Sequence, residues 1–357
     1  MNIALVHDWI ISYGGAERVL EQLHAIWPSA PIYTLLHSPT ISTALLPSAD
    51  IRASYLQSLP RASSMPALLG PLMPTAMESF DLSGYDVVLS SSVLFSKGIV
   101  TRPSTRHFCY CYSPSRLLWD RHASYERSGM TSQILRHGFR VWDFEAAQRP
   151  DHMIAISSTV SSRITKYYRR SSTVIPPPTR AAGPLDHSLV PNVPYYLIVA
   201  RAVPHKQLQV MIDVFAKLRE RLVIVGAGPL LAKLRRNAPD IVTCTGWISD
   251  AQLDALYEGC IAVLIANDED WGLTAVEAML RGKPVLALRR GGVVESVLEG
   301  VTGEFFDDTI PEAIADGVHR LTRSYGSYHR ETIQSHAKQY DINHFQRRMV
   351  SLVTSQA

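Results

Sequence analysis

Short apolar runs recur along the chain, and most are followed by a segment whose apolar positions fall at helical spacing. Ile3-Ala4-Leu5-Val6 is the first run, and Ala16, Val19, Leu20, Leu23 and Ile26 share one face of the helix predicted after it. Pro31 to Leu36, Tyr85 to Ser92, His107 to Tyr112 and His152 to Ser158 read as further strands, with a helix over Ser161 to Tyr168. Ser38 to Ala76 is rich in Pro, Ser and Leu without a clear period and is expected to hold short helices and loops. Thr173-Val174-Ile175 and three prolines close this half, and the weakly periodic Thr179 to Pro194 reads as a linker. The pattern then restarts. Tyr195 to Ala200, Arg221 to Val225, Val242 to Ile248 and Ile261 to Ile265 read as strands. Helices are expected from about Lys206 to Leu218, from a cap at Ser249, and from Leu273 to Arg281. Strand and helix alternate throughout, which predicts an α/β chain of two doubly wound domains, 1–179 and 190–342.

A length of 357 residues agrees with two cores, and 46% apolar residues excludes a disordered chain. The net charge of +3 gives no argument for nucleic acid as a partner. Ile3 to Val6 is far shorter than a signal-peptide core, and no apolar run reaches the roughly 18 residues of a membrane span, so a cytoplasmic protein is expected. Between Arg116 and Arg149, aromatic residues alternate with basic ones: Trp119, Arg121, His122, Tyr125, Arg127, Arg136, His137, Phe139, Arg140 and Trp142. That mixture suits a peripheral face resting on lipid headgroups, and equally an ordinary amphipathic helix packed on its own domain. Cys109 and Cys111 share a strand face with His107, but Cys244 and Cys260 stand alone. Buried free thiols are expected, not a metal site or a disulfide scaffold.

The stretch richest in chemistry is Glu269-Asp270-Trp271-Gly272-Leu273-Thr274-Ala275-Val276-Glu277. Two carboxylates flank a strand-to-helix turn. The helix start offers unpaired N–H groups and partial positive charge to a phosphate, and the carboxylates can accept hydrogen bonds from sugar hydroxyls. The ligand this predicts carries both sugar and phosphate. Gly14 and Gly15, where the first loop becomes a helix, offer a second place for backbone to approach an anion. Lys97 and Arg116 follow strand ends that open on one side of a parallel sheet and are candidates for a charged substrate. Gly226-Ala227-Gly228 after a strand suggests a dinucleotide fingerprint, but Leu231 stands at the third glycine and no acidic residue follows at ribose distance.

Several motifs together resemble the retaining glycosyltransferases of family 4. They are Val199-Ala200-Arg201 with Pro204 and Lys206, Val225-Gly226-Ala227-Gly228-Pro229-Leu230, Gly246 before Ser249-Asp250, and Glu269 paired with Glu277-Ala278-Met279. Gly282-Lys283-Pro284 and Gly291-Gly292-Val293-Val294-Glu295 continue the likeness. His7-Asp8-Trp9, Gly14-Gly15, Tyr85-Asp86, Lys97-Gly98 and Cys109-Tyr110-Cys111 are similar to the bacterial lipopolysaccharide and exopolysaccharide mannosyltransferases. The resemblance implies the GT-B fold: two Rossmann-like domains facing across a cleft, the acceptor on the first and the nucleotide-sugar on the second. It also implies a C-terminal helix, 343–357, that crosses back to the first domain. The implied donor is GDP-mannose and the implied acceptor a lipid-linked or polysaccharide glycan. A UDP-sugar donor, a non-catalytic binding subunit and a sugar-nucleotide epimerase are the alternatives.

Carried onto this sequence, the resemblance gives Arg201 and Lys206 the diphosphate, Glu269 the donor sugar and Glu277 the ribose. Gly272, Leu273 and Thr274 would reach the phosphate or sugar through their N–H groups, and the Gly246-Trp247-Ile248 turn would hold the base. Gly15 would approach the diphosphate from the first domain, with Asp8, Gly14, Lys97 and Arg116 toward the acceptor. Tyr112 stands where the subgroup usually has a catalytic His; it can donate a hydrogen bond through its hydroxyl but carries no positive charge at neutral pH. Ile156 similarly replaces a frequent Asn. No cofactor is implied. Asp268-Glu269-Asp270 contains an Asp-x-Asp pattern but lies inside the two-glutamate motif, so metal-free catalysis is expected, with front-face attack on the donor.

Overall fold

The apolar runs become the strands of two all-parallel sheets. The computed structural model describes residues 1–60, 62–64, 66–120, 130–180 and 183–356. It divides into two units, Met1–Pro178 with Asn343–Ala357, and Thr179–Ile342. The first unit runs β1 (Ile3–Ile10), α1 (Gly15–Ile26), β2 (Ile32–His37), α2 (Pro39–Leu45), β3 (Ile51–Ala53), α3 (Met73–Glu78), β4 (Val87–Ser92), β5 (Arg106–Cys111), α4 (Met130–Ala146), β6 (His152–Ala155), α5 (Ser158–Tyr168) and β7 (Thr173–Val174). The second runs β8 (Tyr196–Val199), α6 (Leu208–Leu218), β9 (Leu222–Val225), α7 (Leu231–Asn237), β10 (Val242–Gly246), α8 (Asp250–Gly259), β11 (Val263–Ile265), α9 (Leu273–Leu280), β12 (Val285–Leu288), α10 (Val293–Ser296), β13 (Gly303–Phe306), α11 (Pro311–Arg323) and α12 (Arg330–Ala337). The last helix, α13 (Ile342–Gln356), returns the chain to the first unit.

Strand order is β3-β2-β1-β4-β5-β6-β7 in the first sheet and β10-β9-β8-β11-β12-β13 in the second. Each order reverses at one place, between β1 and β4 and between β8 and β11, so the loops leaving those two strand ends diverge and open a crevice. The central strands β1, β4, β8, β11 and β12 are buried along nearly their whole length, as parallel strands covered on both faces are. In the second unit, Leu208, Met211, Ile212 and Phe215 of α6 and Ile314, Val318 and Leu321 of α11 pack at helical spacing on Tyr196, Ile224, Leu264 and Leu286. On α13, Phe345, Met349 and Val353 are the buried residues, one per turn, and Phe345 meets the Tyr110 ring edge-on at 5.8 Å. Thr179 and Asp341, at the two ends of the second unit, pair side by side as a parallel bridge.

The structure departs from the sequence reading, which named no strand or helix between Arg281 and the C-terminal helix, where β12, α10, β13, α11 and α12 follow. β1 extends to Ile10, so His7, Asp8 and Trp9 belong to the strand and not to the loop after it. β3 is an unpredicted edge strand; its three residues carry an exposed Arg52 and are too few to show a period.

The placement of Asp8 and Lys97 corrects the expectation that they face an acceptor. The Asp8 side chain is fully buried, and its two oxygens accept the N–H groups of Val93, Leu94, Phe95 and Ser96 at 2.6–2.7 Å. The carboxylate therefore caps the turn after β4 and fills the crevice of the first sheet from within. Lys97 is 2% exposed and lies 2.6 Å from Asp143, which is wholly buried. Asp143 also accepts the Trp119 indole N–H at 2.7 Å and the Tyr168 hydroxyl at 2.9 Å. Burial pushes the Lys97 ammonium toward neutrality, but Asp143, aided by Cys111 and Asp8, offsets this and holds its pKa above the ordinary value. Lys97 is thus one half of an internal ion pair joining the loop after β4 to α4. Replacing Lys97 with Met strands the Asp143 charge and is expected to destabilise the first unit by about 3–5 kcal/mol, measured by urea denaturation of the full chain.

Candidate functional site

The crevice of the second sheet is occupied by a cation and a carboxylate. β8 leads through Ala200 and Arg201 into a single 3-10 turn, Pro204–Lys206, and β11 leads through Asn267 to Glu269. These segments leave the two strands that flank the reversal of strand order, and there the Lys206 ammonium pairs with Glu269 Oε1. Neither group is sealed off, with side-chain exposures of 14% and 25%. Arg201, a few residues before Lys206, is exposed.

The backbone around this pair is fixed by glycines at close approaches. A Cβ on Gly226 would lie 2.1 Å from the Ala200 carbonyl, and one on Gly228 would lie 2.6 Å from that of Ala202. The Gly226-Ala227-Gly228 loop is therefore pressed onto the exit of β8, where Ala202 donates to the Ala227 carbonyl at 2.9 Å. These glycines shape the segment that carries Arg201 and Lys206. The loop after β12 treats the carboxylate side in the same way. Gly292 donates to the Glu269 carbonyl at 2.7 Å, and a Cβ there would lie 2.3 Å from the Asp270 carbonyl.

Past Glu269, Trp271 is 3% exposed and packs edge-on against Tyr340 at 5.1 Å, so it anchors the turn below the surface. Gly272 follows with φ +91° as the N-cap of α9, and Leu273 and Thr274 open the helix half-buried. The first-turn N–H groups of a helix have no intrahelical partner and point out of its start. Glu277 sits deeper, 5% exposed, with its Oε2 accepting the Tyr257 hydroxyl at 2.7 Å. Gly246 ends β10 with φ +80°, and the Trp247 indole beyond it is 82% exposed, with Ile248 half-buried. Most of these lie at strand exits or the α9 start on one sheet's C-terminal edge, whereas Glu277 lies further inside α9.

The sequence reading missed Gly291-Gly292 as a wall of this site, and Tyr257 as the partner of Glu277. The second carried a signal: Tyr257 and Asp254 are three apart on α8, while Glu277 and Arg281 are four apart on α9, so each pair shares a helix face.

In the first unit the residues expected at a ligand serve one another. Gly14 is the N-cap of α1 and Gly15 its exposed first residue. The Glu17 carboxyl group folds back on this helix start, where a Cβ on Gly14 would lie 3.0 Å from its Oε2. Burial raises its pKa while the N–H groups of Glu17 and Gly14 lower it, for a net rise. An internal carboxyl group thus faces the helix start where an anion was expected. Tyr112 requires a correction as well. Its hydroxyl donates to the Ala16 carbonyl at 3.0 Å and meets Ser91 Oγ at 2.8 Å, and burial lifts its pKa well above the usual range. The phenol proton is committed to the first turn of α1, so Tyr112 braces that helix and does not present a donor to a sugar. Arg116 is half-buried, 3.2 Å from Asp120, which Arg163 also approaches at 3.4 Å.

Residues 186–340 match the family model described as "Glycosyl transferases group 1". The GDP-mannose-dependent alpha-(1-6)-phosphatidylinositol monomannoside mannosyltransferase of Mycolicibacterium smegmatis is 34% identical over 148 residues, 36% of this chain and 38% of that protein. The chain thus spans well under half the length of that relative. Two solved structures share the fold along the whole chain. HepE of Anabaena, crystallised with UDP, has a TM-score of 0.71 at 18% identity and covers 99% of this chain and 100% of its own. WaaG, a glycosyltransferase involved in lipopolysaccharide biosynthesis, has a TM-score of 0.69 at 12% identity, covering 99% of both.

Because Gly292 touches the backbone beside Glu269, Gly292→Ala must move the Asp270 segment. The expected cost is about 1–3 kcal/mol of stability in the second unit, read by chemical denaturation against the unsubstituted chain.

Proposed function

We propose, from the match of residues 186–340 to the group 1 glycosyl transferases and from the GT-B fold, that the chain is a retaining, metal-independent hexosyltransferase that moves mannose from GDP-mannose onto a lipid-linked or oligosaccharide acceptor. The observation that carries the reading is the Lys206–Glu269 pair beside the start of α9, at the strand-order reversal of the second sheet. In this reading the diphosphate lies against Lys206, Arg201 and the N–H groups of Gly272, Leu273 and Thr274. Glu269 takes hydroxyls of the donor sugar, Glu277 takes the ribose, and Trp247 with Gly246 and Ile248 takes the base.

Cleavage of the sugar–phosphate bond leaves a nucleoside diphosphate whose charge grows in the transition state. Fixed cations and helix N–H groups stabilise it without a metal ion. The acceptor hydroxyl attacks from the side of the departing phosphate, and that phosphate takes its proton, so the anomeric configuration is kept and no glycosyl-enzyme forms. GDP-mannose is favoured because a relative 34% identical over 148 residues is named for that donor. The UDP in the HepE structure supports a UDP-sugar as the second reading.

For the acceptor side we propose peripheral contact with a membrane through α4, where Ile134, Leu135 and Val141 are exposed beside Arg136 and Arg140. Of the basic-aromatic segment, Arg121, His122, Tyr125 and Arg127 lie outside the described residues. Among the described residues, no helix is long and apolar enough to cross a membrane.

The test is transfer from a panel of labelled nucleotide-sugars to a crude lipid-linked acceptor extract. GDP-mannose is expected to give product, and Lys206→Ala and Glu269→Ala to reduce turnover by at least about a hundredfold. Transfer from UDP-sugars alone selects the second reading. Activity unchanged in both variants refutes the assignment of the site.

A further inference from the structure

Behind Glu277 lies a buried cluster that has no part in the reading above. The guanidinium of Arg281, itself 3% exposed, donates to the Glu277 main-chain carbonyl at 2.9 Å and covers the Tyr257 ring at 4.7 Å. It also pairs with Asp254, whose side chain is 5% exposed. Asp254 in turn accepts Arg180 through two nitrogens, at 2.8 and 3.2 Å, and the Gly183 N–H at 3.1 Å. The Tyr257 hydroxyl closes the circuit on Glu277 Oε2. Four side chains from α8, α9 and the segment entering the unit thus converge behind one carboxylate.

Burying ionisable groups together is unfavourable unless every charge and donor is matched, and replacement by apolar residues is often neutral for stability. What a matched network supplies is direction. A glutamate side chain on a helix has three rotatable bonds, and a donor at a fixed place selects one orientation. Here that donor is a phenol, itself held between a guanidinium and the α8 backbone.

We infer that Tyr257, Arg281 and Asp254, fastened to Arg180, are positioning residues: they set the orientation in which the Glu277 carboxylate meets the ribose hydroxyls of the donor. The inference rests on Glu277 being the ribose ligand, and its test separates the two. The full-length protein is titrated calorimetrically with GDP and UDP, and then with the 2′,3′-dideoxy form of whichever binds more tightly. Glu277→Ala is expected to lose affinity for the ribonucleotide and to bind the dideoxy form as the unsubstituted protein does. Tyr257→Phe is expected to behave the same way, about tenfold weaker for the ribonucleotide alone. A merely structural role for Tyr257 lowers both affinities together.

Arg281→Lys, which keeps the charge opposite Asp254 but loses the fork, provides a second variant should Tyr257→Phe fail to fold, with the same selective loss expected. Equal loss of both nucleotides in Glu277→Ala, or no binding by the unsubstituted protein, overturns the ribose assignment and the inference with it. Selective loss in Glu277→Ala, with Tyr257→Phe and Arg281→Lys either unchanged or weakened for both nucleotides, overturns the positioning inference alone.

Discussion

A parallel sheet whose strand order reverses must send two neighbouring chain segments in opposite directions, and the gap between them has to be filled. The two units of this protein fill it differently. In the first, Asp8 reaches across from β1 and takes the four N–H groups of the turn after β4. In the second, the gap holds a cation and a carboxylate that solvent still reaches. One reversal is closed by the fold itself, and the other keeps charged groups available for exchange with a ligand. That difference is why the proposed donor site is put on the second unit.

Two lysine–carboxylate pairs show how far environment decides role. Lys97 and Asp143 are sealed, and Asp143 is surrounded by an indole N–H and a phenol that leave it no use beyond holding α4 in place. Lys206 and Glu269 are the same chemistry at partial exposure, on a turn and a strand exit whose backbone is set by neighbouring glycines. The first pair is sealed and the second is partly open, so only the second can change partners without the fold opening.

The strand and helix order was legible because a buried parallel strand is a short apolar run and a covering helix shows its period, and both signals are local. β3 was not, since three residues at a sheet edge leave no period. That Lys206 and Glu269 follow strand exits and Gly272 precedes a helix was legible, because strand-end loops announce themselves in sequence. Asp8, Lys97 and Tyr112 could not be assigned correctly, because their roles depend on partners far along the chain: Asp8 on Ser96, Lys97 on Asp143, Tyr112 on Ala16. A polar residue near a predicted strand end looks the same whether it faces a ligand or the turn of a neighbouring strand. The Glu17 carboxyl group over its own helix start is a related case, in which the protein supplies the group that the glycines seemed to await.

Thr179 and Asp341 pair side by side, and α13 then supplies Phe345 to the ring of Tyr110. In chain terms the second unit is an insertion in the first, entering and leaving at one point. A ribosome therefore makes the contiguous residues 179–342 before residues 343–357, which the first core also needs. During that interval Tyr110 and the surface that Phe345, Met349 and Val353 will cover lack their final layer.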